Sequence, residues 1–223
     1  MAASHKRSSS SAVLVVDDHP LIRVGFARLV AEQPDLEVCG EADGLPQAVN
    51  AFRRRRADVV TADISLKVGS GLELTRELLG IDPDVRVLIC SMHEDHVYAE
   101  RALRAGAKGY INKCEPAERL LTAIRRVLDG RIYLSETMTE RMLTRSVGNN
   151  GDVGRSPMEQ LSDRELEVFE QIGRGHTTRQ IAERLFLSPK TIETYRENIK
   201  SKLSLRNATE LTQRAVQWVL ENH

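Results

Sequence analysis

The sequence predicts an α/β protein: a doubly wound, five-stranded parallel sheet in the N-terminal half, followed by a small all-α domain. Three observations carry this. From Ala12 to about Asp129, short β-branched runs alternate with amphipathic segments, the pattern of a parallel sheet flanked by helices. After Leu161 only helical periodicity remains, and residues suited to capping precede its segments. Between them, Arg131 to Gln160 loses apolar periodicity and contains a Gly-, Asn- and Ser-rich stretch, Ser146 to Pro157, which has the composition of a linker.

Residues 1–11 are polar and Ser-rich, a disordered tail without the apolar core of a signal peptide. The domain at 12–130 follows. Its strands are expected at Ala12–Asp17, Leu36–Glu41, Ala57–Ala62, Val85–Ser91 and Gly109–Asn112. These runs are short and apolar, as in strands covered on both faces. Its helices are expected near Leu21–Glu32, Pro46–Arg55, Gly71–Gly80, His96–Ala105 and Ala117–Leu128. In the last, Leu120, Leu121, Ile124, Val127 and Leu128 recur at helical spacing, and Gly130 stops it. The linker at 131–160 includes a short helix over Glu136–Arg145. The domain at 161–223 opens on Ser162-Asp163-Arg164-Glu165, a capping box ahead of Leu166, Val168, Phe169 and Ile172. Thr178–Leu185 forms its second helix. Ser188 caps a third, with Pro189 in first position, running to about Leu203. A fourth spans about Ala208–Leu220.

The bulk properties exclude several classes. A chain of 223 residues with 41% hydrophobic content can bury a real core. No apolar run approaches membrane-spanning length, so no membrane association and a cytoplasmic location are expected. Cys39, Cys90 and Cys114 cannot all pair, and neither a disulfide nor a thiolate metal site is expected. Lys plus Arg and Asp plus Glu both number 32, so polyanion binding must come from local clustering. One cluster exists: Lys190, Arg196, Lys200, Lys202 and Arg206 against Glu193 and Glu197. A second basic run, Arg53 to Arg56, ends a helix and there complements its dipole.

Two features carry chemistry. Asp17 and Asp18 end the first strand and Asp63 follows the third; if these strands are neighbours, three carboxylates meet, an all-oxygen set suited to a hard ion such as Mg²⁺. In the C-terminal domain, two short helices and a basic second one fit a helix-turn-helix DNA reader. On that second helix Lys190, Glu193, Thr194, Glu197 and Lys200 line one broad face. Thr194 suits a thymine methyl, Glu193 or Glu197 a cytosine amino group, and Lys190 and Lys200 phosphates; either glutamate can instead pair with Arg196 or Lys200. Ile192, Ile199 and Leu203 read as core.

The motifs resemble known families. Leu161-Ser162-Asp163-Arg164-Glu165-Leu166-Glu167-Val168, Gly175, Ile181-Ala182, Leu185, Leu187-Ser188, Thr191-Ile192 and Lys202-Leu203 resemble the LuxR-type helix-turn-helix. Val16-Asp17-Asp18-His19-Pro20, Asp63, Gly71, Ser91, Ala105-Gly106-Ala107-Lys108-Gly109-Tyr110 and Lys113 resemble a flavodoxin-like response-regulator receiver. In this order the two are similar to the NarL/FixJ class of two-component response regulators.

The resemblance implies that Asp63 accepts a phosphoryl group from a sensor histidine kinase. Asp17, Asp18, Asp63 and the Ser65 backbone carbonyl would hold Mg²⁺, Lys113 would meet the phosphate, and Ser91 and Tyr110 would form the switch. It also implies an operator in double-stranded DNA. A homodimer is expected because one short helix reads only a half-site, and Leu211, Ala215, Val216 and Val219 on the last helix read either as its interface or as packing within their own domain. RNA polymerase is left open as a further partner. Lys67 stands where the family commonly has proline, and Cys114 where it often has one. Lys67 predicts a more flexible, more cationic loop, and it keeps open a receiver that binds DNA without phosphorylation. A Mg²⁺-dependent phosphohydrolase is the other competing class, but no general acid follows Asp63 at short spacing.

Overall fold

A computed structural model of the chain describes residues 10–92, 96–148 and 157–222. Residues 1–9 of the predicted tail and 149–156 of the predicted linker lie outside them. Two compact units result, with the break between Ser135 and Glu136.

The first unit alternates β1 (Ser11–Val16), α1 (Pro20–Ala31), β2 (Leu36–Ala42), α2 (Leu45–Arg54), β3 (Val59–Asp63), α3 (Gly71–Ile81), β4 (Arg86–Ser91), α4 (His96–Arg104), β5 (Gly109–Asn112) and α5 (Ala117–Leu128). All pairs are parallel, in the order β2-β1-β3-β4-β5. The chain thus leaves β1 towards one edge and returns to its other side as β3. The connections diverge at that point and open a crevice at the strands' carboxyl ends. Register then aligns the chemistry: Val16 pairs with Ala62 and Ser91 with Asn112, so Asp17 lies beside Asp63, and Lys113 leaves the sheet next to Ser91.

Both sheet faces are covered, which is why the strands read as near-continuous apolar runs. Val13, Val15, Val59, Leu88, Cys90 and Ile111 pack with Val30 of α1 and Leu120, Ala123, Ile124 and Val127 of α5. Leu14 points to the other face, near Ala51 of α2 across Gly40. Each fully buried aliphatic side chain contributes roughly 1.5–3 kcal/mol.

Three departures from the predicted elements have local causes. β3 begins at Val59 rather than Ala57, because the Asp58 carboxylate accepts the Ala12 backbone N–H (2.8 Å). β2 carries a bulge: Val38 pairs with Val13 but Gly40 with Leu14, leaving Cys39 over. After Gly130, predicted as linker, the chain first returns to the sheet. Tyr133 N donates to Lys108 O (3.0 Å), Tyr110 N donates to Tyr133 O (2.9 Å), and the Tyr133 ring joins the core beneath α5. A contact of so few residues has no periodicity to read.

In the second unit, α6 (Glu136–Gly148) runs three residues past its predicted end. A 3₁₀ turn (Pro157–Gln160) precedes α7 (Asp163–Gly173), α8 (Thr178–Arg184), α9 (Pro189–Lys202) and α10 (Ala208–Asn222). The predicted capping box forms: Glu165 N donates to Ser162 Oγ (3.3 Å) and Ser162 N to Glu165 Oε2 (2.6 Å). Leu166, Phe169, Ile172, Ile181, Ile192, Ile199, Leu211 and Ala215 are buried, with Phe169 edge-on to Trp218 at 5.9 Å. Glu165 also receives Lys202 Nζ (2.6 Å), tying the start of α7 to the end of α9. Burial would raise the Glu165 carboxyl, but Lys202 and the Ser162 cap outweigh it and hold it below the usual range. Glu165→Ala removes both partners at once and is expected to destabilise this unit by about 2–3 kcal/mol in chemical denaturation; a change below about 0.5 kcal/mol would show that the pair is dispensable.

Candidate functional site

Asp17, Asp18 and Asp63 do meet. One ligand atom from each of these residues and from His19 lies within 4.8 Å of all the others. Lys113 Nζ sits among them, 2.7 Å from Asp17 Oδ2 and 2.5 Å from Asp63 Oδ2, its side chain only 1% exposed. The ammonium is held between the two carboxylates by their opposite charge. The backbone fixes its position, since Lys113 N donates to Ser91 O (2.7 Å).

The electrostatics are those of a crowded site. Burial raises the Asp63 carboxyl from 3.8 to about 6; the Lys113 charge opposes the rise and Asp17 adds to it. Asp18 is raised chiefly by burial, against the pull of His19. Burial would lower Lys113, yet the Asp63 and Asp17 charges outweigh it and the ammonium is raised. Because the folded Asp63 binds its proton more tightly than the unfolded one, this group's contribution to native stability is lost as pH rises through about 4 to 6. A divalent cation relieves this charge. Asp18 Oδ1 is buried, with His19 Nδ1 2.7 Å away, and the oxygen-rich donor set suits Mg²⁺.

The β3–α3 loop frames the site tightly. Ser70 and Glu73 form a second capping box at the start of α3, an S-x-x-E signal present in the sequence but not read there. Gly71 N donates to Ile64 O (2.8 Å), and a Cβ on Gly71 would lie 2.1 Å from Asp63 O, so only glycine lets α3 start this close to Asp63. The flexible loop expected from Lys67 is instead closed on itself. Ser65 bridges Ser70, Leu45 N donates to Val68 O (2.9 Å), and Ile64 and Leu66 are buried. Lys67 is exposed and lies 3.8 Å from Asp43; Lys113 is the cation that touches Asp63.

Ser91 ends β4 and is fully buried, and Tyr110 is 1% exposed on β5. Tyr110 pairs in register with Ile89, two residues before Ser91. Cys114 is exposed beside Lys113, Cys90 is buried and Cys39 half-buried, all as free thiols.

On α9 the exposed stripe is Lys190, Glu193, Thr194, Glu197, Asn198 and Ser201. Arg196 and Lys200 flank it, half-buried. Both glutamates are engaged: Glu193 accepts from Thr178 Oγ1 (2.7 Å) and lies 3.8 Å from Arg196, and Glu197 lies 2.9 Å from Lys200. Asn198, absent from the expected contacts, carries the paired donor and acceptor that suit adenine. α8 is capped by Thr177 and Gln180, a T-x-x-Q signal that sequence reading also missed. The proposed dimer face splits. Leu211 and Ala215 are fully buried, Ala215 against Gly173 of α7, which removes both from any surface interface; Val216 is exposed and Val219 half-buried.

Comparison with known proteins matches both units. Residues 13–125 match the response regulator receiver domain, and residues 159–215 match the bacterial regulatory proteins of the luxR family. The oxygen regulatory protein NreC of Staphylococcus carnosus is 36% identical over 208 residues, covering 92% of this chain and 96% of that protein. The response regulator GacA of Pseudomonas aeruginosa is 37% identical over 204 residues, covering 92% and 94%. The crystal structure of a LuxR-family two-component response regulator from Aurantimonas sp. SI85-9A1 aligns at 33% identity and a TM-score of 0.59, over 62% of this chain and 99% of that one. With three acids and a lysine at the strand ends of one unit and a helix-turn-helix in the other, the chain belongs to the two-component response regulators that join a receiver domain to a LuxR-type DNA-binding domain.

Proposed function

We propose that Asp63 is the phosphoryl acceptor and that its phosphorylation by a sensor histidine kinase controls DNA binding through α9. The observation that carries this is Lys113 Nζ, which lies within 2.7 Å of both Asp17 and Asp63 at the carboxyl ends of adjacent strands. Asp63 is the nucleophile: a P–O bond to its carboxylate forms as the P–N bond of a phosphohistidine breaks. Lys113 supplies a fixed point charge to the incoming phosphoryl oxygens. Ser91, one strand over, donates its hydroxyl to the phosphorylated side chain, and Tyr110 on the neighbouring strand follows that movement. Asp17, Asp18, Asp63 and the Ser65 carbonyl are suited to hold Mg²⁺, which when bound neutralises charge between the carboxylate nucleophile and the anionic group. The reaction belongs in the cytoplasm, where the output is altered transcription.

In the second unit we assign Lys190 to phosphate contact, and Thr194 and Asn198 to base edges. Glu193 and Glu197 act by holding Arg196 and Lys200. A homodimer suits this reader, since one short helix spans only a half-site; Val216 remains available on its surface. RNA polymerase is a further candidate partner.

Incubation of the full chain with a small phosphodonor and Mg²⁺, read by intact mass, should give one phosphoryl adduct that Asp63→Asn lacks. An adduct retained in that variant would assign the acceptor elsewhere, and no adduct in the wild type would leave DNA binding without phosphorylation as the better reading. For the DNA face, Lys190→Ala should weaken binding about equally on all sequences and lower the salt slope by about one; an unchanged slope would remove Lys190 from the phosphate contacts.

A further inference from the structure

His19 is the one member of the acid cluster that is not an oxygen donor, and its position is imposed by the chain. It precedes Pro20, which restricts it to extended backbone, and it adopts φ −87°, ψ 109° as the residue before α1. Its backbone N–H donates to Asp17 Oδ1 (2.9 Å). It makes no side-chain cap on the helix. The imidazole instead turns to the carboxylates, with Nδ1 2.7 Å from Asp18 Oδ1, 3.5 Å from Asp17 Oδ1 and 3.9 Å from Asp63 Oδ2.

These separations are those of donors sharing one ion. With ligands at about 2.1 Å, neighbouring donors of an octahedral ion stand about 3 Å apart and opposite ones about 4.2 Å. Asp18 Oδ1, the closest to Nδ1, is a buried oxygen, so this contact lies on the inner side of the cluster. We infer that His19 Nδ1 is a metal ligand, and that it makes this site prefer borderline transition ions such as Co²⁺ or Zn²⁺ over Mg²⁺. Imidazole nitrogen binds such ions far better than it binds Mg²⁺, for which carboxylate, carbonyl and water oxygens suffice. His19 therefore sets metal selectivity, while Asp17, Asp18 and Asp63 set binding of any hard divalent ion. The other role open to His19 is a charge contact with Asp18 alone, which predicts no such selectivity.

The inference rests on the acid cluster being the Mg²⁺ site, and the test separates the two. The full chain is titrated calorimetrically with Mg²⁺ and with Co²⁺, counting only Co²⁺ that excess Mg²⁺ displaces, and the Co²⁺ absorption bands are recorded. His19 is 62% exposed at its side chain, so His19→Asn and His19→Ala should fold. In both, Co²⁺ affinity should fall by about tenfold or more while Mg²⁺ affinity stays within about twofold, and the Co²⁺ bands should shift as the nitrogen donor is lost. An unchanged ratio of Co²⁺ to Mg²⁺ affinity with unshifted bands would overturn the role of His19 while leaving the acid site standing. Absence of Mg²⁺ binding in the wild type, or its survival in Asp63→Asn, would overturn the acid site itself and the inference with it.

Discussion

One buried ammonium, Lys113, holding two carboxylates at the end of a parallel sheet is the interaction on which the rest of this receiver depends. Asp17, Asp63 and Lys113 come from three strands, and the strand order β2-β1-β3-β4-β5 brings the ends of β1 and β3 side by side. The packing of those strands fixes their register, because a one-residue slip would turn Val13, Val15 and Val59 away from α1 and α5. Packing stability thus holds together charges that would otherwise separate. Gly71 completes the arrangement by letting the start of α3 close on Asp63 without a side chain between them.

Burial makes this site unfavourable in isolation, and that is what suits it to switching. A carboxyl raised to about 6 is eased by a proton or a cation, and an acyl phosphate formed on it would change its charge outright. Each of these changes the balance around Lys113, whose backbone is bonded to Ser91. From Tyr110 on β5 the backbone leads on to Tyr133, the residue that follows the sheet before the receiver ends.

Much of this was legible in the sequence, for physical reasons. Strands covered on both faces must be apolar throughout, so all five could be read, and acids at their ends stand out against such runs. Lys113 was legible through the receiver resemblance, which matches it just after the fifth strand. What escaped was whatever lacked a period: the Asp58 carboxylate that replaces the first rung of β3, the bulge at Cys39, and the return of Tyr133 to the sheet. The turn of His19 toward the acids depends on a backbone set by Pro20 and has no pattern of its own. Leu211 and Ala215 could be read either way because a helical apolar stripe looks the same whether it faces its own domain or a partner; packing against α7 decides it. The capping signals at Ser70 and Thr177 were present and simply unread.

Everything turns on Asp63 being held ionised against its environment. The most direct measurement is thermal denaturation of the Mg²⁺-free chain with and without Asp63→Asn, followed from pH 8 to pH 4. Removing the crowded charge should stabilise the receiver at pH 8 by on the order of 1–3 kcal/mol, with the gain shrinking as pH falls from about 6 towards 4. A variant less stable than the wild type at pH 8 would contradict this, and would mean that the Asp63–Lys113 contact is a net stabilising ion pair rather than a strained charge awaiting a partner.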